Sequence, residues 1–181
     1  MLQITIPLGR EGWDEVKEEF VVPQTKVLQL EHSLVSLSKW ESKWHKPFLS
    51  KDDRTVEETV DYIKCMTITQ NVGADVYDHL TRKHMQEISD YINDSMTATF
   101  FNDQKTGKVS HEIITSELIY YWMISLNIPF ECQKWHLNRL LTLIKVCSLK
   151  NQPPKKMSKR DVMSRNAALN AARRAQANSR G

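Results

Sequence analysis

The chain has 181 residues, 40% of them hydrophobic and 26% charged, with five glycines and six prolines. That is enough material for one well-filled core, and it excludes a collagen-like, low-complexity or wholly disordered chain. The net charge of +3 hides a split: residues 150–181 hold nine Lys/Arg against one acidic residue, a local +8, while residues 1–149 hold sixteen against twenty-one, a local −5, the pattern of an acidic body with a basic tail.

"LQITIPL" and, more loosely, "FVVPQTKVLQL" alternate apolar and polar residues with β-branched members. They predict short strands paired as a hairpin across "GREGWDEVKEE", with Pro23 at an edge or bulge. In "HSLVSLSKWESKW", Leu34, Leu37, Trp40 and Trp44 recur at helical spacing, and Pro47 ends the run. "TVEETVDYIKCM" opens with Thr55 and Glu58 in capping-box spacing, and Val56, Val60, Ile63 and Met66 supply an apolar face. "ADVYDHLTRKHMQEISDYINDSM" predicts two short helices with Val76, Leu80, Ile88 and Ile92 inward. "TATFFNDQKTGKVS" predicts a β-hairpin near residues 98–110.

"EIITSELIYYWMISLN" is apolar on nearly every side, which predicts a helix buried among others. Pro129 suits the first position of the next helix, where Leu137, Leu140, Leu141, Ile144 and Cys147 line one face. "NQPPKK" then breaks the chain, because adjacent prolines favour an extended connector. Beyond it Ser158 is placed to cap a last helix, with Asp161 in its positive first turn. The expected fold is mainly α: a helical domain over residues 1–149 with a small N-terminal β element and one β-hairpin, a Pro/Lys linker over 150–157, and a basic Ala/Arg-rich helical arm over 158–181. Helices 113–126 and 131–148 are expected to form an antiparallel pair at the heart of the core.

The chemistry is sparse. Six histidines are scattered, none at i,i+4 on one predicted helix, which argues against a zinc site. Cys132 and His136 are four apart and within reach of each other, but a core thiol beside a solvent histidine is the commoner arrangement. P-loop, G-x-G-x-x-G, G-x-S-x-G and H-E-x-x-H patterns are all missing. Asp52–Asp53 and Glu57–Glu58 fall where carboxylates favour a helix N-terminus. The expectation is a non-catalytic protein with no metal and no cofactor. Three cysteines without a C-x-x-C pair suit a reduced compartment. The N-terminus lacks the basic start and apolar run of a signal peptide, and "LIYYWMISLNIPF" is too short to span a bilayer.

Two features point to partners. "KWESKWHKPF" sets Trp40 and Trp44 one helical turn apart among lysines, as an aromatic anchor for a partner, as a base-stacking surface, or as a face packed on the domain with lysines snorkelling at its edge. The closing "RNAALNAARRAQANSRG" has little apolar bulk, so Arg165, Asn166, Arg173 and Arg174 are candidates for gripping an acidic partner surface. A solvated tail and a nucleic-acid contact are the competing readings. The tail carries no aromatic residue and the body is acidic, which disfavours nucleic acid.

The blocks "LQLEHSLVSLSKWESKWHKPFLS", "VDYIKCMTI", "ITSELIYYWMISLNIPFECQKWHLNRLLTLIKVCSLKNQPPKKMS" and "RNAALNAARRAQANSRG", in that order, resemble a family of small proteins from tailed bacteriophages and prophages. The resemblance covers most of the chain; "DDRTVEETVDYIK" fits less sharply. It implies a morphogenesis protein of long-tailed, siphophage-type phages, most like a tail assembly chaperone working in the host bacterial cytoplasm. Such a protein would hold the tape measure protein soluble until tail tube protein polymerises around it, with self-association as a further partner choice and no membrane. The alternative it leaves is a structural virion component, such as a head–tail connector or tail completion protein, in which the arm locks neighbouring subunits. No catalytic residue comes with the resemblance.

Overall fold

The computed structural model describes residues 1–9, 12–14, 19–21, 24–50, 53–101, 112–152 and 158–177. The chain divides into two compact units, Met1–Ser148 and Leu149–Gly181. The architecture is mainly α, with a small antiparallel β element at the N-terminus and a helix at the C-terminus.

In the first unit, β1 (Leu2–Leu8) pairs antiparallel with β4 (Gln24–Leu30) in the register Leu2↔Leu30 to Leu8↔Gln24. A second pair joins β2 (Gly12–Asp14), inside the expected connection, to β3 (Glu19–Val21), which takes in the first residues of the second expected strand. Pro23 lies outside the described residues. Period-two alternation puts Ile4, Ile6, Leu28 and Leu30 on the buried face. The free edge of β4 is covered by residues 66–69: Glu31 N donates to Met66 O (2.9 Å), Ile68 N to Gln29 O (2.8 Å) and Gln29 N to Thr69 Oγ1 (2.8 Å).

Helix α1 (Leu34–Trp44) begins at a reciprocal cap between Ser33 and Ser36 and ends at His45, whose φ of 53° is left-handed. Helix α2 (Val56–Met66) starts at the expected Thr55–Glu58 capping box. Its buried stripe differs from the expected one. Val56 is 80% exposed, and the inward side chains are Glu58, Asp61, Tyr62, Ile63 and Met66. The helix is rotated by roughly a quarter turn from the face that apolar residues alone mark out, because Glu58 and Asp61 are paired by Lys46, Thr55 N, Lys43 and Trp44 at the edge of the core.

A 3₁₀ turn over Ala74–His79 leads into α3 (Arg82–Asn93); Val76 and Ile88 are buried, and Leu80 and Ile92 pack against the core as expected. Described residues 97–101 form no strand; the rest of the expected hairpin lies outside the described residues. Helix α4 (Ser116–Ser125) is not enclosed on all sides. Ile119 and Met123 are buried, but Tyr121 and Ile124 are 63% and 59% exposed. The expected helix over 131–148 is divided: a 3₁₀ turn spans Phe130–Lys134, and α5 (Leu137–Asn151) starts afresh, its Leu137 N donating to His32 O at 2.7 Å.

The centre of the core is α1, which packs against α2, α4 and the 130–134 turn; α4 and α5 are not its principal pair. The reason lies in α1's composition. Leu34, Leu37 and Trp40 are all essentially inaccessible to solvent, and Ser36 and Glu41 are buried beside them, so a wide face of α1 is enclosed.

In the second unit, α6 (Lys159–Gln176) is capped by Ser158, whose Oγ accepts from Asp161 N at 3.2 Å and donates to Asp161 Oδ2 at 2.7 Å. None of its residues is buried. Residues 153–157 of the expected linker lie outside the described residues. No helix among the described residues is long and apolar enough to cross a membrane.

Candidate functional site

Trp40 is a core residue and not an anchor presented to a partner. It is 1% exposed, its indole N–H donates to Glu58 O at 2.9 Å, and its ring meets Phe48 edge-on at 5.1 Å between centroids. Trp44 stacks on Trp40 at 6.3 Å and is half-buried, its N–H donating to Asp61 Oδ2 at 2.9 Å. The neighbouring lysines behave as snorkelling edge groups: Lys43 reaches Asp61, and Lys46 reaches Glu58. The Lys46 ammonium and the Thr55 N–H hold the Glu58 carboxyl below the usual range. Burial works to raise Asp61, but hydrogen bonds from Lys43 and Trp44 outweigh it and hold that group low as well. The tryptophan–lysine motif is therefore the α1–α2 interface.

Arg165, Asn166, Arg173 and Arg174 are all exposed on α6. Arg173 and Arg174 fall in its last turn, where cations complement the helix dipole, and Arg174 Nε donates back to Asn170 O at 3.4 Å. The structure thus brings the two tryptophans together and the four arm residues onto one helix.

A second constellation, not singled out by sequence, sits between α1, α2, α3 and α5. His32 and His136 lie 32 and 136 residues into the chain, yet their rings are 5.1 Å apart and both are buried. His32 Nδ1 is 2.5 Å from the Tyr62 hydroxyl. Burial, reinforced by His136 and Arg54, lowers His32 to about 3, and burial pushes Tyr62 well above the usual phenol range. A neutral imidazole beside a protonated phenol can share one hydrogen bond, whose direction is set by the His32 tautomer. His136 Nε2 is 3.0 Å from Tyr91 O, so it donates there, and its buried Nδ1 has no partner among the described residues. Burial pushes the Cys132 thiol up and the His136 imidazole down. Both shifts oppose thiolate chemistry at that pair.

Beside His32 and Tyr62 opens a cavity of about 550 Å³ walled by Phe48, Leu49, Met85, Ile88 and Ile92. Arg54 stands at it with its guanidinium 3.9 Å from the centre of the Phe48 ring, one nitrogen donating to Phe48 O at 2.7 Å. Elsewhere, the Glu41 side chain is buried and ties three segments together: its two oxygens accept Phe48 N (2.8 Å) and Ser116 N (2.7 Å).

The last feature is a surface. Ile113, Tyr121, Ile124 and Phe130 are each more than half exposed, and Tyr120 lies 6.4 Å from Phe130 between ring centroids. Tyr121 and Ile124 are three apart on α4 and so share its outer side. Periodicity could not separate Tyr121 and Ile124 from the core, because both sides of α4 are apolar; they differ from Ile119 and Met123 only in exposure. Among the described residues no group of three or more His, Cys, Asp or Glu could hold a metal ion. No known protein family, curated protein or solved structure matches this chain.

Proposed function

We propose that this chain is a non-catalytic morphogenesis protein of long-tailed bacteriophages, a tail assembly chaperone that binds the tape measure protein and tail tube subunits in the host cytoplasm. The sequence blocks quoted above support the family reading. The observation that carries the binding role is the exposed stripe of Ile113, Tyr121, Ile124 and Phe130. Exposed apolar side chains of this kind, with Tyr121 and Ile124 on one side of α4, suit the reception of another apolar surface. A long tape measure helix, before the tube encloses it, presents such a surface.

Co-expression with the tape measure protein of the same phage tests the stripe. The wild-type chain keeps the client soluble and co-purifies with it. The double variant Tyr121→Asp, Ile124→Asp binds at least about tenfold more weakly, with a melting temperature within about 2 °C of wild type, because both side chains face solvent. Equal binding by the variant removes the stripe from the proposal. Mass spectrometry of purified virions decides the remaining choice: stoichiometric copies would make the protein a structural component and overturn the chaperone reading.

The arm supplies a second contact. Val162 and Leu169 are its larger aliphatic side chains apart from methionines, and even complete burial is worth only about 1.5–3 kcal/mol each. Holding its helix in place costs about 1–2 kcal/mol per residue in backbone entropy. A chain ending at Gln152 therefore melts within about 2 °C of the full-length protein and loses affinity for its tail partner. Alanine at Arg165, Arg173 and Arg174 removes part of the same affinity. A large fall in melting temperature on truncation would mean that the arm is part of the body's own fold, and its role as a partner contact would be withdrawn.

A further inference from the structure

The cavity beside His32 has the make-up of a ligand site, and nothing in the proposed assembly role uses it. Its volume of about 550 Å³ lies within the range of small-molecule sites, which are mostly apolar with a few convergent polar groups. The walls fit that description: Leu49, Met85, Ile88 and Ile92 supply aliphatic surface, and Phe48 with Tyr62 forms an aromatic stack with 3.9 Å between centroids.

The polar groups are unequal. Tyr62 and His32 spend their facing atoms on each other. Asn138 uses its amide N–H groups on Ile92 O and Asp94 O, and Asn93 uses its own on Ser89. Arg54 is different. Its guanidinium has five N–H donors; one nitrogen bonds Phe48 O, and among the described residues no carboxylate forms an ion pair with it. The one carboxyl close enough to influence it, Glu58, is already engaged by Lys46 and Thr55 N. A planar cation thus lies against an aromatic wall, with donors left over and a chamber of mixed polar and apolar lining next to it.

We infer that this cavity binds a small amphipathic carboxylate, with its head group on the Arg54 fork and its apolar tail between α2 and α3. A guanidinium matches a carboxylate with two parallel hydrogen bonds, and partial removal from water strengthens that pairing. The tail lies against Met85, Ile88 and Ile92, which recur on one side of α3. A cationic head group is repelled by Arg54, and a neutral one leaves its donors unmatched.

Titration calorimetry of the full chain with decanoate, decanol and decyltrimethylammonium, all below micelle formation, tests this. Decanoate binds as one molecule per chain, about tenfold more tightly than decanol, and the ammonium compound does not bind. Arg54→Met keeps an apolar stem over Phe48, retains decanol binding and brings the two affinities within about twofold. Arg54→Lys keeps the charge without the fork and shows an intermediate preference. Ser89→Trp, at an exposed position on the cavity lip, abolishes binding of both ligands. The proposal is overturned by equal affinity for decanoate and decanol in the wild type, by a preference that survives Arg54→Met, or by binding that Ser89→Trp leaves intact.

Discussion

Replacing Glu41 by alanine lowers the stability of the Met1–Ser148 unit by about 3–5 kcal/mol, because two buried N–H groups lose a charged-type acceptor worth about 1.5–3 kcal/mol each. Those donors belong to Phe48, in the loop after α1, and to Ser116, the first residue of α4. The α4 N-terminus also loses a negative group suited to its dipole. For a unit of this size the change corresponds to a fall in melting temperature of about 10 °C. Glu41→Gln keeps one acceptor oxygen but turns an NH₂ toward the other donor, and loses about 2–3 kcal/mol. Chemical denaturation of the three proteins measures both effects. An alanine variant within about 1 kcal/mol of wild type would show that neither hydrogen bond contributes net stability.

Acidification from pH 6.5 to about 4.5 removes about 2–3 kcal/mol through His32 alone. In the unfolded chain this imidazole takes up its proton near 6.5; folded, it stays neutral down to about 3. Below 6.5 the unfolded state therefore binds one proton more than the folded state. Stability is fully present above that value and falls with pH until about 3. His136, also lowered by burial, steepens the slope. Glu58 and Asp61 act in a lower window, because their stabilising contribution is lost only as pH falls through their own depressed values. Thermal melts between pH 7 and about 5 thus isolate the histidines. His32→Asn keeps a polar atom in reach of the Tyr62 hydroxyl and is less stable at pH 7, but its stability declines more gently on acidification, by about 1.4 kcal/mol per pH unit. Parallel curves for the two proteins would rule out His32 as the source.

The helix starts were legible because their determinants are local. That holds for two of them: the Thr55–Glu58 pair closes within one turn, and Ser158 caps α6. The β1–β4 pairing was legible from alternation, although β2 and β3 between them were not; three residues each are too few for a pattern. What could not be read was which apolar surface the fold would cover. Val56 and Tyr121 look like core residues in any periodicity plot, yet both face solvent, whereas Glu41 and Glu58 look like surface residues and are buried. The Glu41 partner is 75 positions away at Ser116, and the Tyr91 carbonyl that engages His136 is 45 away. Such pairs depend on tertiary placement that no local spacing encodes. The Arg54 cavity was missed for the same reason, since its walls come from α2, α3 and the loop after α1.

On the ribosome, the order in which these contacts become available follows their place in the chain. Both edges of β4 are occupied by segments no further along than Thr69, with β1 on one side and residues 66–69 on the other. The ladder, α1 and α2 can therefore close once roughly the first 70 residues have emerged. The His32 carbonyl and the Glu41 carboxyl must wait for Leu137 and Ser116. At about 5–20 residues per second, the gap between Thr69 and Ser125, the end of α4, lasts about 3–11 s. For those seconds the nascent chain carries the side of α1 meant for α4 uncovered, the same kind of sticky surface that the finished protein keeps on α4 itself.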